Sequence, residues 1–356
     1  MSGPAPAPQG EPTAADILSH AVTAGTLPGA VFATGTGTGI SDVIVVGRAQ
    51  DRGGPAREMR RDTMFDLASL TKVVATLPAV LRLVDTGDVA LDDPATRYLP
   101  GFHGAGRDHV TIRNLLTHTS GLPAEVLFWR ECRDPAEAAQ ALLSVQLENP
   151  PDTAVVYSDV GFLLLGEIIA AVTHGPLEMA IAELVLGPLE LDRATFSPSL
   201  ESRLLCAATE LSPDGTAIVG AVHDENARFL GGVAGHAGMF APVDDLIRYV
   251  IRAWLDTDGS FLRPALRAEA CRLQTPGLGG RRGLGWVLRQ DTADVLGQRW
   301  PMTAVSHTGF TGTSIAVDPD SERWSVLLTN DVHFGRGRGT IRAIREAVHD
   351  SCAPAM

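Results

Sequence analysis

Apolar residues recur along this chain with two different periods, and the change of period divides it into regions. Near the start, ADILSHAVTAG has helical spacing, and the runs PGAVFATG and DVIVVGRA, separated by TGTGIS, predict a β-hairpin. From Ala68 to about Leu191 the period is helical, as in VVATLPAVLRLVDTG and GFLLLGEIIAAV. After a glycine-rich, irregular segment from Thr209 to Pro242, β-like runs return in GLGWVLRQ, MTAVSHTG, TSIAVDP and WSVLLTN, and TIRAIREAVHD predicts a closing helix.

Strands at both ends with helices between them predict one sheet that is built from the two chain ends and flanked by helices, with a helical domain inserted in the middle. We therefore expect an α+β fold. Residues 13–67 and 242–356 would form the sheet domain, residues 68–241 the helical domain with the active-site loops, and residues 1–12 a flexible tail. A cleft is expected where the two domains meet, because pockets prefer such interfaces.

Composition narrows the classes of partner. The 356 residues are 45% hydrophobic, which is enough for a full core. The formal net charge of −13 argues against nucleic-acid binding, which needs a basic surface. No run approaches the roughly 18 apolar residues that cross a membrane, and the first dozen residues have no signal-peptide features, so we expect a cytoplasmic protein that acts on small molecules. The four scattered cysteines predict free thiols, and the oligomeric state is left open.

One basic residue breaks a strong compositional bias. Among 29 lysines and arginines, Lys72 is the sole lysine, in a composition rich in Ala, Gly, Pro and Arg that suggests a GC-rich genome. An arginine stays protonated, whereas a buried lysine can lose its proton and act as a base. Ser69 lies three residues earlier at the start of a helical run, so the two side chains share a face. Ser69 and Lys72 are predicted to be a nucleophile and its base; the alternative is an exposed lysine beside a capping serine.

The chain resembles serine β-lactamases and penicillin-binding proteins over nearly its whole length, in the class C-like branch that includes esterases, D-amino-acid amidases and transacylases. The matching segments, in the family's order, are FDLASLTKVVAT, LDDPATRYLP, TIRNLLTHTSGLP, YSDVGFLLLGEII, VHDENARFLGGVAGHAGMF, HTGFTGTS and VLLTNDVH. The resemblance implies an antiparallel sheet flanked by helices with an inserted all-helical domain, as in β-lactamases and transpeptidases. It implies no cofactor.

The family's second motif, Tyr-x-Asn, matches YSD. Tyr157 is therefore expected to relay the serine proton to the leaving group, against the alternative of a core tyrosine. Where the family has Asn, this chain has Asp159, which we expect to contact the substrate. A carboxylate cannot donate a hydrogen bond to a substrate amide, which puts β-lactam or peptide recognition in doubt. Asp159 also favours a charged Lys72, yet we expect burial and the helix N-terminus to prevail and to lower the pKa of Lys72.

The third motif, Lys-Thr-Gly, appears as HTG on a predicted strand, with His307 in place of the lysine. Histidine there suggests a short hydrogen-bond donor of adjustable charge, against the alternative of a sheet-surface histidine. Thr308 and Gly309 are expected to contact the substrate, since glycine lets it lie against the strand edge. The resemblance also implies an oxyanion hole formed by the backbone N–H groups of Ser69 and Phe310.

Other residues give weaker signals. Trp129 is expected to line the acyl pocket, with an ordinary core contact as the alternative. VHDENA with His236 offers possible metal ligands, but the spacing matches no common site, so we expect no metal and a hydrogen-bonded loop beside the cleft. GTGTG is assigned to a hairpin turn rather than to a dinucleotide loop. His118 is expected to be a buried structural histidine.

Together these residues predict a serine acyl-transfer enzyme that forms an acyl-enzyme on Ser69 from a small ester or amide. Release to water would make it a carboxylesterase or amidase, and release to an amine or alcohol would make it a transacylase, as the family contains in natural-product and antibiotic biosynthesis. A β-lactamase or D-Ala-D-Ala carboxypeptidase is an alternative that the expected cytoplasmic location disfavours. A non-catalytic, penicillin-sensor-like binding protein is the alternative of another class, and the intact Ser, Lys, Tyr and His elements argue against it.

Overall fold

The computed structural model describes residues 11–353 of the chain, Thr257 excepted. Its strands are β1 (Gly29–Thr36), β2 (Gly39–Gln50), β3 (Arg57–Glu58), β4 (Phe65–Asp66), β5 (Ala208–Leu211), β6 (Ala217–Val219), β7 (Phe240–Ala241), β8 (Val287–Leu288), β9 (Val305–Thr308), β10 (Ser314–Asp318) and β11 (Arg323–Thr329). Its helices are α1 (Ala14–Thr23), α2 (Leu77–Thr86), α3 (Ile112–Thr117), α4 (Phe128–Glu131), α5 (Pro135–Ser144), α6 (Asp159–Thr173), α7 (Leu177–Ile181), α8 (Gly187–Leu189), α9 (Leu200–Arg203), α10 (Glu225–Phe229), α11 (Val243–Tyr249), α12 (Pro264–Cys271) and α13 (Thr340–Ser351).

Seven strands form the main sheet in the order β3-β2-β1-β11-β10-β9-β8. Every pairing in it is antiparallel. β1 pairs with β2 on one side and with β11 on the other, so strands from the two ends of the chain lie side by side. Thr36 pairs with Gly39, which makes GTGTG part of a hairpin turn. The predicted α+β fold with an antiparallel sheet built from both chain ends is confirmed.

The inner strand β1 separates two apolar layers. Val31 and Ala33 point into the large core, whereas Phe32 points into a smaller core with Leu18 of α1 and Val348 of α13. All five side chains are essentially buried. Alternate residues of a strand face opposite sides of its sheet, so a strand covered on both sides reads as a continuous apolar run. This explains the uninterrupted GAVFA at the start of β1.

The inserted segment differs in two places from the all-helical domain that we expected. β5 and β6 form a two-stranded antiparallel sheet of their own, and β7 at the end of the segment pairs with β4. The intervening turn contains Gly215 at φ 84°, a conformation that glycine adopts without strain. The division into two domains remains a prediction, and residues 1–10 of the expected tail lie outside the described residues.

The longest helix of the insertion, α6, starts beside the cleft. Its N-cap is Ser158, whose hydroxyl accepts a hydrogen bond from the Gly161 N–H at 3.1 Å. Most of its side chains are buried in the large core. Within the described residues, no one helix has the length and apolar composition of a membrane span; α6 and Leu177–Leu189 meet those criteria only when taken together, and they are bent by 80°.

Candidate active site

The predicted nucleophile lies on a strained turn directly after β4. Ser69 is part of a short 3₁₀ turn, Ala68–Leu70, which leads into a wide π-helical turn, Lys72–Thr76, and then α2. Ala68 has φ 46°, a value that non-glycine residues seldom adopt. The Asp66 carboxylate accepts a hydrogen bond from the Ala68 N–H at 2.8 Å and holds this conformation. Backbone strain of this kind is maintained by surrounding contacts and is typical of functional turns.

The loop between β9 and β10 packs directly against this turn. Thr311 Oγ1 donates to the Asp66 carbonyl at 2.7 Å, and Thr313 Oγ1 donates to the Leu67 carbonyl at 3.2 Å. Gly309 lies so close that a Cβ atom there would collide with the Leu67 carbonyl. The absence of a side chain at Gly309 therefore allows β9 to approach Ser69.

The structure brings Ser69 and Lys72 into contact. Lys72 is fully buried, and its Nζ donates to Ser69 Oγ at 3.0 Å and to the His236 carbonyl at 3.2 Å. A third partner is Asp159, whose Oδ1 lies 2.7 Å from Nζ. Three oxygen atoms thus surround the ammonium group, and one of them belongs to the candidate nucleophile.

The charge of Lys72 differs from our expectation. Burial by itself would lower the pKa of Lys72, but the charge of Asp159, with a further contribution from Tyr157, outweighs it, so the pKa lies above its ordinary value. The expected lowering is therefore wrong, because the Asp159 carboxylate is in direct contact with the ammonium. The Asp159 carboxylate is engaged with Lys72, and its expected contact with the substrate stays a prediction. In the resting site Lys72 is a cation that donates to Ser69.

Tyr157 lies between the lysine and the third motif. Its ring centroid is 5.0 Å from Lys72 Nζ, and the ring packs on His118 at 4.6 Å. His118 is buried, and its Nδ1 accepts a hydrogen bond from the Ser158 N–H at 3.0 Å. Burial, followed by the charge of Arg282, lowers the pKa of His118 well below its ordinary value. His118 is thus a neutral side chain that supports Tyr157 and the start of α6.

His307 presents a ring nitrogen that can accept a hydrogen bond, where we expected a donor. Burial above all, then the charges of Lys72 and Arg282, lower its pKa to about 3. Its Nδ1 donates to the Thr308 carbonyl at 2.9 Å, so in the neutral ring Nε2 carries the lone pair. Nε2 is buried without a partner among the described residues, and the ring centroid lies 6.1 Å from that of Tyr157.

These groups open into a cleft of about 450 Å³. Six of the residues predicted for the site line it: Ser69, Tyr157, His307, Thr308, Gly309 and Phe310. The Phe310 ring is 57% exposed and stacks on His223 with centroids 5.5 Å apart. No protein acceptor pairs with the Phe310 N–H within the residues that the structure describes, which leaves it available for the predicted oxyanion hole.

Trp129 does not belong to this wall. It lies on the short helix α4, where its N–H donates to Asn226 Oδ1 at 3.2 Å and its ring lies beneath the Arg130 guanidinium at 4.5 Å. α4 instead buries the neighbouring Phe128 in the large core. The lining of an acyl pocket by Trp129 stays a prediction.

The VHDENA loop forms a hydrogen-bonded support behind Lys72. Asp224 Oδ1 pairs with His236 Nε2 at 2.9 Å and accepts from the Ala227 N–H at 2.7 Å, and the His236 carbonyl accepts from Lys72. Asp159, Asp224 and His236 offer ligand atoms within 4.8 Å of one another, a spacing that a metal ion could use. The Lys72 ammonium already pairs with the Asp159 oxygen of this group.

The sequence interpretation missed a set of arginines in the cleft wall. Four of them line it: Arg282, Arg336, Arg338 and Arg345. Two lie in the run GRGRG, and Arg282 lies in GGRRG. Arginine near glycine is too common a pattern to indicate a site.

Comparisons with known proteins show what this chain is similar to. The family model described as Beta-lactamase matches residues 14–349. A protein of Escherichia coli (strain K12) named "Putative D-alanyl-D-alanine carboxypeptidase" is 31% identical over 303 residues, which cover 76% of this chain and 70% of the relative. The N-acetylmuramyl-L-alanine amidase of Bacillus subtilis (strain 168) is 29% identical over 320 residues, 78% of this chain and 70% of that protein.

Among solved structures, EstCE1, a hydrolase with promiscuous acyltransferase activity, superposes with a TM-score of 0.74 at 24% identity. The match covers 94% of this chain and 96% of that one. At this identity the likeness shows the fold alone.

Proposed function

The chain belongs to the beta-lactamase family of serine hydrolases and acyltransferases, and from this premise we propose that it forms an acyl-enzyme on Ser69 from a small ester or amide. The observation that carries the proposal is the 3.0 Å contact between Lys72 Nζ and Ser69 Oγ on the wall of the cleft. A serine hydroxyl is a weak nucleophile, and a buried ammonium beside it stabilises the negative charge that develops on the oxygen during attack.

Tyr157 is the group to which we assign the proton transfer. Lys72 is already protonated, so it cannot take the Ser69 proton. As the Oγ–carbon bond forms, the Tyr157 oxygen takes the serine proton and passes its own proton to the departing oxygen or nitrogen, so that no net proton accumulates. Lys72 and Arg282, at 5.0 and 5.9 Å from the Tyr157 ring, stabilise the negative charge that develops on the Tyr157 oxygen as its own proton moves to the leaving group.

Release of the acyl group runs through the same relay in reverse. Water, an amine or an alcohol attacks the ester on Ser69, gives its proton to Tyr157, and Ser69 recovers a proton. His307 Nε2, an unpartnered acceptor on the cleft wall, orients the attacking O–H or N–H. We propose water as the main acceptor, which makes the protein an esterase or amidase. Transacylation in a biosynthetic pathway is the same chemistry with a different acceptor.

A D-alanyl-D-alanine carboxypeptidase is the second candidate, and the named Escherichia coli relative is the observation that favours it. Against it, Asp159 replaces the asparagine amide that would donate to a substrate carbonyl, and it is paired with Lys72. We therefore rank simple esters and amides above β-lactams and D-Ala-D-Ala peptides as substrates.

Replacement of the nucleophile tests the proposal. We expect Ser69→Ala to abolish turnover of a phenyl ester and to block covalent addition of a fluorophosphonate, which the wild type should take up at one per chain in intact-mass spectra. Ser202→Ala, on a different helix, is the matched control and should label normally. A fluorophosphonate adduct on Ser69→Ala at the wild-type rate would contradict the assignment, and a wild type that stops after one product per chain would indicate a sensor.

A further inference from the structure

One end of the active-site cleft is formed by an arginine that is paired with two carboxylates. Arg336 lines the cleft, and its guanidinium carbon lies 5.7 Å from the ring centroid of Phe310, which lines the cleft as well. Arg336 donates from Nε to Glu210 Oε1 at 2.8 Å and from Nη2 to Glu225 Oε1 at 2.6 Å. Neither carboxylate is among the residues that line the cleft. The arginine is therefore part of the wall, and the groups that hold it lie outside the cleft.

These ion pairs connect distant parts of the chain. Arg336 lies between β11 and α13, whereas Glu210 belongs to β5 and Glu225 is the first residue of α10. The arginine is 126 residues from Glu210 and 111 residues from Glu225 in the sequence. We call these three residues the Arg336 strap, because one side chain reaches from the segment before α13 to two elements of the insertion.

Charge, rather than backbone packing, holds the strap in place. Gly335 and Gly337 flank Arg336 with φ values of 111° and 70°, and a Cβ atom at either position would meet no atom within 4 Å. The backbone on both sides of Arg336 is thus free of close packing, and glycine lets it adapt. The side chains of the strap are partly exposed, by 42% for Arg336, 21% for Glu210 and 29% for Glu225. Dissolved salt can therefore screen both ion pairs.

The strap also supports the ring of Phe310. His223 stacks on that ring, and His223 Nε2 lies 3.2 Å from Glu210 Oε2. Glu210 thus contacts both His223 and Arg336, the two side chains beside the ring. The Phe310 N–H belongs to the predicted oxyanion hole, which places the strap near the reacting carbonyl group. A bulky substrate group at this end of the cleft would have to displace Arg336 and break its two ion pairs.

We propose that Arg336 determines the size of the substrate: the Arg336 strap closes the Phe310 end of the cleft to bulky groups, and raised ionic strength opens it. The inference rests on the proposed function. An isolated exposed ion pair contributes little, but two carboxylates on one guanidinium form a network of directional, charge-assisted hydrogen bonds. Such a network keeps the cleft closed around a compact substrate and yields when its charges are screened.

Two pairs of esters test the size limit, one pair for each side of the scissile bond. Phenyl acetate and biphenyl-4-yl acetate differ in the leaving group, whereas 4-nitrophenyl acetate and 4-nitrophenyl biphenyl-4-carboxylate differ in the acyl group. We expect Arg336→Gln to raise kcat/KM for the bulky ester relative to the compact ester by about fivefold or more in at least one pair, since an exposed ion pair is worth up to about fivefold. The pair that responds identifies the side of the bond that the strap limits.

Removal of the carboxylates distinguishes release of the strap from a loss of bulk in the cleft. Glu210→Gln/Glu225→Gln changes no side chain that lines the cleft, and we expect it to give the same gain as Arg336→Gln. Adding Arg336→Gln to this variant should give no further gain, because the three residues act as one unit. Arg133→Gln, which breaks an exposed ion pair with Glu137 outside the cleft, is the matched control and should keep the wild-type ratios.

Salt provides a second readout. Raising NaCl from about 50 mM to about 500 mM shortens the range of charge interactions, so the bulky-to-compact ratio of the wild type should rise. The ratio of Arg336→Gln should stay constant, because this variant has no ion pair left to screen at the strap. An equal rise in both proteins would overturn the proposal.

The outcomes separate this inference from the proposed function. If the wild type hydrolyses the compact esters, Ser69→Ala hydrolyses none, and Arg336→Gln keeps the wild-type ratios, acyl transfer stands and the size limit is overturned. If Glu210→Gln/Glu225→Gln lowers all four rates by one common factor, the strap has a structural role and the size limit is likewise overturned. A wild type that turns over no ester and takes up no fluorophosphonate would contradict the proposed function itself, and this inference with it.

Discussion

At the scale of single residues, two opposing effects act on the pKa of Lys72. Desolvation disfavours the ammonium form, and a carboxylate at 2.7 Å favours it. The carboxylate prevails because direct contact in a poorly solvated site makes the Coulomb attraction large. The protonation state of the site thus depends on Asp159, which occupies the position of an asparagine in the resembled family.

Without the Asp159 charge, desolvation should become the dominant influence on the pKa of Lys72. We expect Asp159→Asn to lower the pKa of Lys72 by at least about one unit, since a contacting opposite charge typically shifts a pKa by one to three units. Because Lys72 is the sole lysine, protein labelled with ¹³Cε-lysine gives one lysine signal, and its shift against pH reports the titration directly. Asp192→Asn, at an exposed carboxylate remote from Lys72, is the control. A wild-type midpoint below that of a free lysine would contradict this account.

The sequence was sufficient to predict which side chains meet at the candidate site but not their charges. The three-residue spacing of Ser69 and Lys72 predicts contact, because that contact is local. The state of Lys72 depends on Asp159 and on the His236 carbonyl, which lies 164 residues away in the sequence. The acceptor role of His307 depends in turn on its burial and on the Thr308 carbonyl, which no residue pattern specifies.

At the scale of elements, the site depends on the fit between the turn that carries Ser69 and the loop after β9. Three groups make that fit: the side chains of Thr311 and Thr313, and the bare Cα of Gly309. Because the nucleophile turn and the loop lie about 240 residues apart in the sequence, neither can be positioned alone.

A single methyl group at Gly309 should move the loop after β9 away from the turn that carries Ser69. We expect Gly309→Ala to reduce kcat/KM by about 100-fold or more, because the new Cβ would collide with the Leu67 carbonyl and displace β9 from Ser69. Gly175→Ala is the control, since the nearest atom to its added Cβ would be 3.9 Å away. Ester hydrolysis by both purified variants, with circular dichroism to verify folding, checks the prediction; equal activity of the two would contradict it.

Element types were largely predictable, but their lengths were not. The hairpin, α6 and the closing helix follow from apolar periods. GLGWVLRQ reads as a strand of eight residues, yet only Val287–Leu288 pair, because the glycines around Leu284 serve tight turns in place of a ladder. The hairpin of β5 and β6 was missed because its segment is rich in glycine and polar residues, which weaken a β pattern.

At the scale of the whole molecule, a buried histidine links the sheet to the closing helix. His349 of α13 is buried, with Ser314 Oγ of β10 at 2.8 Å from Nε2 and Ser325 Oγ of β11 at 2.7 Å from Nδ1. Burial, followed by the charge of Arg345, lowers its pKa to about 3. An unfolded chain binds this proton near pH 6.5, so the stabilisation is complete above that pH and is lost as the pH falls toward about 3.

The free energy of unfolding should therefore fall in mild acid. Between pH 7.5 and pH 5 we expect His349 alone to account for a loss of about 2 kcal/mol, at about 1.4 kcal/mol per pH unit below 6.5. His349→Gln cannot titrate, so its stability should fall by about 2 kcal/mol less over this range, as measured by urea unfolding at each pH. His20→Gln, at an exposed histidine, should keep the wild-type slope. Equal slopes for all three proteins would contradict the prediction.

The pairing of β1 with β11 also has a consequence for synthesis. Ala30 pairs with Thr329, so β1 leaves the ribosome 299 residues before its partner exists. At about 5 to 20 residues per second, that interval lasts about 15 to 60 s. Throughout it, the apolar run GAVFA has β2 on one edge and nothing on the other, which is the condition under which nascent strands aggregate. A chaperone that covers this strand edge would protect the unfinished chain until β11 is made.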